Sequence, residues 1–346
     1  MANPTDARAP YYLGNLLYDW QPEEAVVLWE KSSVLDPNAP ITWRNLAIAY
    51  SHQTAEGSKN KAIACLEKAT SFPNPCPAHF SELDQLYKSE GASVEKRLAL
   101  LEKNQKVVMK KDDALGTIIN LKIFAGKTDE SISLLKGRTF SIWEGGNAFN
   151  TGQVWADAHL IRGLNYLRKK QYQNALTDFQ NALVPPENLR AEGSISRLDQ
   201  IKYWMGCAFD ALGKKENATQ LWKEVAASDT LKNIPWRMRE IGNRQTQRYF
   251  AAMARQKIDP KADVKTTFCE LSDNDKNMVV GDSGDIDYQF IGAKKLPSHD
   301  DRAFPHYLSG LGHLGLGNKT KAKEQFNAAL QISPDFLSAK IESDQF

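Results

Sequence analysis

Two glutamates in irregular stretches are the residues of this sequence with the clearest potential for chemistry. Glu144 lies in SIWEGGNAFNTGQ (141–153), beside Trp143, and Glu187 lies in VPPENLRAEGS (184–194), beside Asn188. Two carboxylates on loops that flank one helical segment could form an acid/base pair or bind a polyol. The candidate loop site therefore consists of Trp143, Glu144, Glu187 and Asn188, with Asp157, His159 and Glu192 nearby in the sequence.

A structural interpretation of the same glutamates is simpler. They could cap helices or pair with Arg138 and Arg190, while the glycines around them only make turns. Most loop carboxylates have no catalytic role, so we favour this interpretation.

Three histidines are spaced by seven residues near the C-terminus. His306 and His313 would share a helix face, but about 10 Å of axial separation is too far for one metal ion. His299 is followed by two aspartates, Asp300 and Asp301, which do not complete a ligand set of known spacing. We therefore predict no metal site here.

Other chemical motifs are missing from the sequence. The stretch from Asp273 begins like a calcium loop, but Met278 replaces the turn glycine and Gly284 replaces the bidentate glutamate. The sequence contains no phosphate-binding glycine loop, nucleophile elbow or HExxH motif. We expect a noncatalytic protein without a cofactor.

Composition and charge exclude further classes. The 44 basic and 42 acidic residues are mixed along the chain and leave a net charge of +2, which gives no reason to expect nucleic acid or an anionic membrane as a partner. Polar residues interrupt every apolar run, so no segment is expected to span a membrane. The opening MANPTDARAPYY lacks the regions of a secretory signal, which favours a cytoplasmic location.

The elements that position all these residues are helices in pairs. From His306 to Phe336, the spacing of Gly310, Ala322 and Phe326 places two small residues and a ring where two antiparallel helices approach closely. This spacing is that of a tetratricopeptide repeat. One such pair cannot bury its apolar face alone, so neighbours in the chain must stack on it.

The same spacing, or helical periodicity without the full consensus, recurs along the chain. The predicted pairs cover residues 11–37, 41–75, 78–110, 113–142, 156–187, 200–229 and 306–336. Residues 231–257 form one further helix, and residues 258–303 hold one or two short helices within a polar loop. The predicted fold is all-α, a right-handed α-solenoid of about seven tetratricopeptide-like pairs, each packed on its sequence neighbours.

Breaks in this pattern divide the chain into four parts. Residues 1–140 form N-terminal repeats, and residues 141–257 form a second block after the WEGG loop. An irregular polar insertion covers 258–303, and the last repeat covers 304–346. The chain opens directly into a repeat without a polar capping helix, which leads us to expect a missing N-terminal neighbour.

Several stretches resemble one family in particular. DARAPYYLGNLLYDW, WRNLAIAY, ELDQLY, GRTFSIWEGG, PPENLRAEG and HYLSGLGHLGLG look like the C-terminal tetratricopeptide tail of large bacterial proteins with an N-terminal β-rich domain of unknown function. In that family the β-rich part, often thought to act on carbohydrate, comes first. The resemblance implies that this chain docks onto such a domain.

The first helix of each pair in a tetratricopeptide array lines a concave groove. At the corresponding positions of the first two pairs, the sequence places Arg8, Tyr11, Asn15, Tyr18, Arg44, Asn45, Ile48 and Ser51. Aromatic, amide and guanidinium groups are typical of peptide-binding surfaces. The alternative is that these residues are only the packed and solvated face of a repeat.

A carboxylate clamp of the kind found in chaperone-binding relatives is not expected. Asn15 and Asn45 match that clamp, but Tyr11, Ser81 and Gln85 stand where its basic residues should be. Without cations, the groove cannot hold a terminal carboxylate well.

These observations predict a noncatalytic scaffold that binds a peptide or partner domain in the groove, or docks onto a β-rich catalytic domain. The alternative is part of a carbohydrate-active enzyme or a glycan-binding tail that uses the loop carboxylates. A third hypothesis is self-association through exposed repeat faces.

Overall fold

The computed structural model describes residues 5–143, 146–147, 150–191, 195–228, 238–274 and 299–345. Within these ranges the chain is almost entirely helical and divides into two compact units, residues 1–118 and 119–346. The predicted fold class, an all-α solenoid of tetratricopeptide-like helix pairs, is confirmed. The division into parts at residues 140, 257 and 303 stays a prediction.

Unit 1 contains three successive helix pairs. Its helices are α1 (Arg8–Leu17), α2 (Pro22–Leu35), α3 (Pro40–His52), α4 (Ser58–Thr70), α5 (Pro77–Ser89), α6 (Val94–Lys103), the short α7 (Gln105–Val108) and the first part of α8 (Asp112–Phe124). Proline occupies the first turn of α2, α3 and α5, where the missing N–H has no helical partner to lose.

Unit 2 contains the remaining elements. They are the end of α8, α9 (Thr128–Lys136), β1 (Ile142–Trp143), β2 (Gly146–Asn147), α10 (Thr151–Arg168), α11 (Tyr172–Ala182), α12 (Leu198–Ala211), α13 (Lys215–Ser228), α14 (Met238–Ile258), α15 (Lys265–Ser272), α16 (His299–Gly315), α17 (Lys319–Ile332) and α18 (Leu337–Ser343). Among the described residues, the two-residue antiparallel pair β1–β2 is the only sheet.

A glycine on the first helix and a ring on the second form the recurring contact within a pair. The contact occurs at Gly14–Trp29, Gly163–Phe179, Gly206–Trp222 and Gly310–Phe326. A methyl group at any of these glycines would lie closer than 3.0 Å to a ring atom, so only glycine lets the helices approach this far. The predicted role of the small residues in close helix approach is confirmed.

A second recurring contact joins one pair to the next in unit 1. The Tyr50 hydroxyl of α3 donates to Glu30 Oε1 of α2 at 2.5 Å, and the Tyr87 hydroxyl of α5 donates to Glu67 Oε1 of α4 at 2.5 Å. Tyrosine and glutamate are 20 residues apart in both cases. Similar sequence spacings therefore give the same contact at successive steps of the stack.

One helix boundary differs from the prediction, and one short helix falls where it was expected. Helix α10 begins at Thr151, five residues before the predicted 156, because Asn150 Oδ1 accepts a hydrogen bond from Gln153 N at 2.9 Å and caps the helix. Helix α15 is a short helix of the kind predicted within the polar insertion, and its Phe268 and Leu271 are fully buried. The rest of that insertion, residues 275–298, lies outside the described residues.

The last helix departs from simple stacking. Ile341 of α18 belongs to the same buried cluster as Leu160 of α10 and Ile201 and Met205 of α12. The expectation that each helix packs only on its sequence neighbours is therefore wrong for α18, which contacts helices far earlier in the chain. Within the described ranges, no helix has the length and apolar character needed to cross a bilayer.

Candidate functional site

The predicted groove residues of unit 1 lie on two neighbouring first helices. Arg8, Tyr11 and Asn15 are on α1 and Tyr18 follows its last residue, while Arg44, Asn45, Ile48 and Ser51 are on α3. We call these eight residues the α1/α3 surface. Tyr11, Tyr18 and Ile48 are half-buried and Asn15 is exposed, so the surface is accessible.

Amide groups join the two helices of this surface. Asn45 Nδ2 donates to Asn15 Oδ1 at 2.9 Å, and Trp29 Nε1 of α2 donates to the same oxygen at 3.0 Å. Asn15 is held by both neighbours, which fixes the orientation of its amide.

Arg44 continues the chain of contacts to the next first helix. Its Nη2 donates to Glu82 Oε1 of α5 at 2.6 Å, and its Nε lies 3.1 Å from each oxygen of that carboxylate. The hydrogen bond to Glu82 raises the pKa of Arg44, so the guanidinium is charged at neutral pH. A carboxylate ligand would have to compete with Glu82 for this guanidinium.

The two ends of the surface are also partnered. The Tyr18 hydroxyl lies 2.9 Å from His52 Nδ1 at the end of α3. Arg8 pairs with Asp6 at 2.8 Å, and the hydrogen bonds from Arg8 lower the pKa of Asp6 to about 2. Side-chain contacts therefore connect α1, α3 and α5 along one face. Partner binding by this face stays a prediction.

The candidate loop site is described only in part. Trp143 lies on β1, where it pairs with Gly146, and Glu144 lies outside the described residues. Glu187 is exposed and begins a single 3-10 turn that ends at Leu189. It lines an open depression of about 460 Å³ together with Asn150 and Arg190.

The side chain of Asn188 hydrogen-bonds to the backbone at the end of α9. Its Nδ2 donates to the carbonyl oxygens of Leu135 at 2.9 Å and Arg138 at 2.7 Å, which closes the C-terminal end of α9. The following carbonyl, of Leu189, accepts a hydrogen bond from Thr151 Oγ1 at 2.9 Å. The PENL turn therefore fastens α9 to the start of α10, and the Asn188 amide is engaged by backbone.

The acidic and basic groups near the loops in sequence belong to buried networks. Asp157 pairs with Arg197 at 2.5 Å. His159 Nδ1 lies 2.7 Å from Asp178 Oδ1, and Arg162 donates to both oxygens of the same carboxylate. Burial would raise the pKa of Asp178, but the hydrogen bonds from His159 and Arg162 outweigh it and lower that pKa. The Asp157–Arg197 pair joins α10 to the start of α12, and the contacts of Asp178 tie α10 to α11. Glu192 lies outside the described residues.

The histidines are not gathered around a metal site. His306 Nδ1 of α16 lies 2.8 Å from Gln325 Oε1 of α17, a contact between the helices of the last pair. In the part of the chain that the structure describes, no three His, Cys, Asp or Glu side chains are placed to hold a metal ion. The stretch from Asp273 that begins like a calcium loop lies largely outside the described residues.

Comparison with known proteins gives one family match and several structural likenesses. Residues 306–336 match the tetratricopeptide repeat family. Similar solved structures include the apo form of the quorum sensor NprR from B. thuringiensis, with 12% identity, 95% of this chain and 77% of that chain covered, and a TM-score of 0.32.

Two further structures are similar. Naa15/Naa10 bound to HypK-THB has 13% identity, with 99% of this chain and 56% of that chain covered and a TM-score of 0.40. The human IFIT1 dimer with PPP-AAAA has 14% identity, with 89% and 67% covered and a TM-score of 0.34. The family match coincides with the pair in which Gly310 receives the Phe326 ring, and that packing recurs in three earlier pairs. The chain therefore contains a tetratricopeptide repeat at residues 306–336.

Proposed function

We propose that this chain is a noncatalytic scaffold that binds a peptide or a partner domain through the α1/α3 surface. The observation that carries the proposal is the line of side-chain contacts across α1, α3 and α5, in which Asn45 holds Asn15 and Arg44 holds Glu82. Side chains already fixed in place lose little conformational entropy when a partner arrives.

The side chains of the α1/α3 surface indicate what kind of partner would bind to it. Tyr11 and Ile48 offer half-buried apolar area, and the amides of Asn15 and Asn45 offer polar groups between them. Since Arg44 is neutralised by Glu82, the partner need not be anionic. A segment with apolar side chains and accessible backbone hydrogen-bonding groups fits these features.

The family resemblance suggests one source of this partner, a β-rich domain of the same parent chain. The alternative function, a carbohydrate-active enzyme or glycan-binding tail, gains no support from Asn188, because its amide is engaged by the carbonyls of Leu135 and Arg138. We therefore do not propose it.

A matched pair of substitutions tests the proposal. Peptides selected by the full chain from a displayed library would be titrated against Ile48→Glu, which places a charge on the α1/α3 surface. Val34→Glu on α2 is the control, because Val34 is 78% exposed on a second helix. Thermal unfolding would show that both variants fold.

We expect the selected peptides to bind the Val34→Glu variant as tightly as the wild type and the Ile48→Glu variant at least about tenfold more weakly. The proposal fails if no peptide is selected by the wild type, or if Ile48→Glu leaves the affinities unchanged.

A further inference from the structure

The C-terminal helix α18 packs on earlier helices of unit 2 in the way that a bound peptide would. Its Ile341 is only 3% exposed and packs with Leu160, Ile201 and Met205, which come from the first helices α10 and α12. Leu337, one turn earlier, packs against the same cluster. The side of α18 that carries Leu337 and Ile341 is therefore covered by helices that precede it by well over 100 residues, while Ala339 packs in the cluster of α16 and α17.

Polar contacts fix the position of α18 on this surface. Gln200 Nε2 of α12 donates to Glu342 Oε1 at 3.0 Å, and Arg197 Nη2, at the start of α12, donates to Ser338 Oγ at 3.1 Å. The sequence separations are 142 and 141 residues. Both ends of the helix are thus held by α12.

Aromatic side chains of α12, α14 and α16 lie near the same place. Tyr203 of α12, Tyr249 of α14 and Tyr307 of α16 are buried and lie near enough to Glu342 to interact with its charge. We call Arg197, Gln200, Tyr203, Tyr249 and Tyr307, with the apolar cluster above, the α18-binding surface. It is formed by α10, α12, α14 and α16.

The helix does not fill this surface completely. A small cavity of about 60 Å³ remains beside Ser338, lined among others by Arg197, Phe250, Phe304 and Tyr307. Helix α18 has only seven residues, too few to be stable without the surface that it contacts. It therefore folds on docking, and release of its contacts would free it while α17 stays in place.

We propose that α18 is an internal ligand, and that the surface beneath it binds an amphipathic helix of a partner protein when α18 is displaced. The occupant shows what the partner must carry: two apolar residues one turn apart, as Leu337 and Ile341 are, followed by a residue that accepts a hydrogen bond from Gln200. This inference concerns unit 2 and does not depend on the function proposed for unit 1.

Glutamate is unfavourable at the position of Glu342, which accepts the hydrogen bond from Gln200. Glu342 is 1% exposed, and Arg197, the cation that acts on its charge, already pairs with Asp157. Burying a carboxylate without a cation of its own weakens docking. A partner helix with glutamine at this position keeps the hydrogen bond without that cost, so it displaces α18 more readily than a second copy of the α18 sequence.

The test uses the full chain and two fluorescent peptides. One peptide has the sequence of residues 334–345, and the other carries the change Glu342→Gln. Both are titrated against the wild type and against Ile341→Asp, whose own α18 cannot bury its apolar face. The control is Val184→Asp, which places the same charge in unit 2 at a residue that is 72% exposed.

We expect both peptides to bind the Ile341→Asp variant at least about tenfold more tightly than the wild type or the Val184→Asp variant, with the glutamine peptide the tighter. Equal affinity for all three proteins, or no binding to a folded Ile341→Asp variant, overturns the proposal.

Hydrogen exchange on the wild type adds a test without a substitution. The amides of α18 should exchange at least about tenfold faster than those of α17, and faster again with saturating glutamine peptide. Exchange of α18 at the rate of α17, unchanged by the peptide, contradicts an independently opening helix. Loss of peptide binding here leaves the α1/α3 surface unaffected, so the two proposals fail separately.

Discussion

Removing the charge of Glu342 should change how the stability of this protein depends on pH. Burial raises the pKa of Glu342 to about 7, although the charge of Arg197 and a hydrogen bond from Gln345 act in the opposite direction. In the unfolded chain the group has its ordinary pKa of 4.5. The folded protein therefore holds the proton over a range of pH in which the unfolded chain has lost it.

The sign follows from proton uptake. Where the folded state binds more protons than the unfolded state, the free energy of unfolding falls as pH rises. The stability linked to Glu342 is complete below pH 4.5 and is lost as the pH rises to about 7. At 1.36 kcal/mol for each pH unit between the two pKa values, the loss is about 3 kcal/mol.

The substitution Glu342→Gln keeps the hydrogen bond from Gln200 and removes the ionisation. Urea unfolding of the wild type and of the variant, followed by tryptophan fluorescence between pH 4 and pH 8, isolates this group because other titrations cancel in the difference. We expect the variant to gain about 3 kcal/mol on the wild type between the two ends of the range. Parallel pH profiles would refute the assignment of a buried, raised-pKa carboxyl to Glu342.

Three further substitutions test contacts inside each of the two units. Gly310→Ala places a methyl group against the Phe326 ring and should lower the free energy of unfolding by about 1–3 kcal/mol, measured by urea denaturation. Asn188→Ala removes two hydrogen bonds to backbone carbonyls and should cost about 1–3 kcal/mol, with faster hydrogen exchange at the end of α9. Arg97→Ala leaves the buried carboxylate of Asp84 without its partner and should cost about 3–5 kcal/mol in thermal and urea unfolding.

Each of these has its own control. Leu316→Ala, at a side chain beside the last pair that is 37% exposed, should change stability far less than Gly310→Ala. Glu187→Gln, one residue before Asn188, should leave exchange at α9 unchanged because its side chain is exposed. Adding Asp84→Leu to Arg97→Ala should restore part of the lost stability, and a double variant no more stable than the single one would contradict the account of this pair.

The helix pairs could be predicted from the sequence because their packing depends on short, repeated spacings. Gly310 and Phe326 are close in sequence, and the same small residue and ring recur at other pairs, so the contact between two helices is visible locally. The contact between Asn45 and Asn15 likewise joins the first helices of consecutive pairs, and the groove at these positions stays a prediction. Local periodicity was sufficient wherever a contact joins neighbouring helices.

Contacts over long sequence distances could not be predicted in this way. Nothing in seven residues of α18 indicates that Gln200, 142 residues earlier, would receive Glu342. The hydrogen bonds of the Asn188 side chain could not be predicted for a similar reason, because its acceptors Leu135 and Arg138 lie 53 and 50 residues upstream. In a sequence, a loop asparagine that binds a ligand cannot be distinguished from one that binds a distant backbone carbonyl.

The binding role of the α1/α3 surface is the central claim, and a hydrogen-exchange footprint tests it most directly. The wild-type chain would be compared with and without a saturating peptide selected as described above. We predict slower exchange in α1 and α3, at residues 8–17 and 40–52, and no change in α2. Protection confined to α2, or to the loops at 141–153 and 184–194, would contradict it.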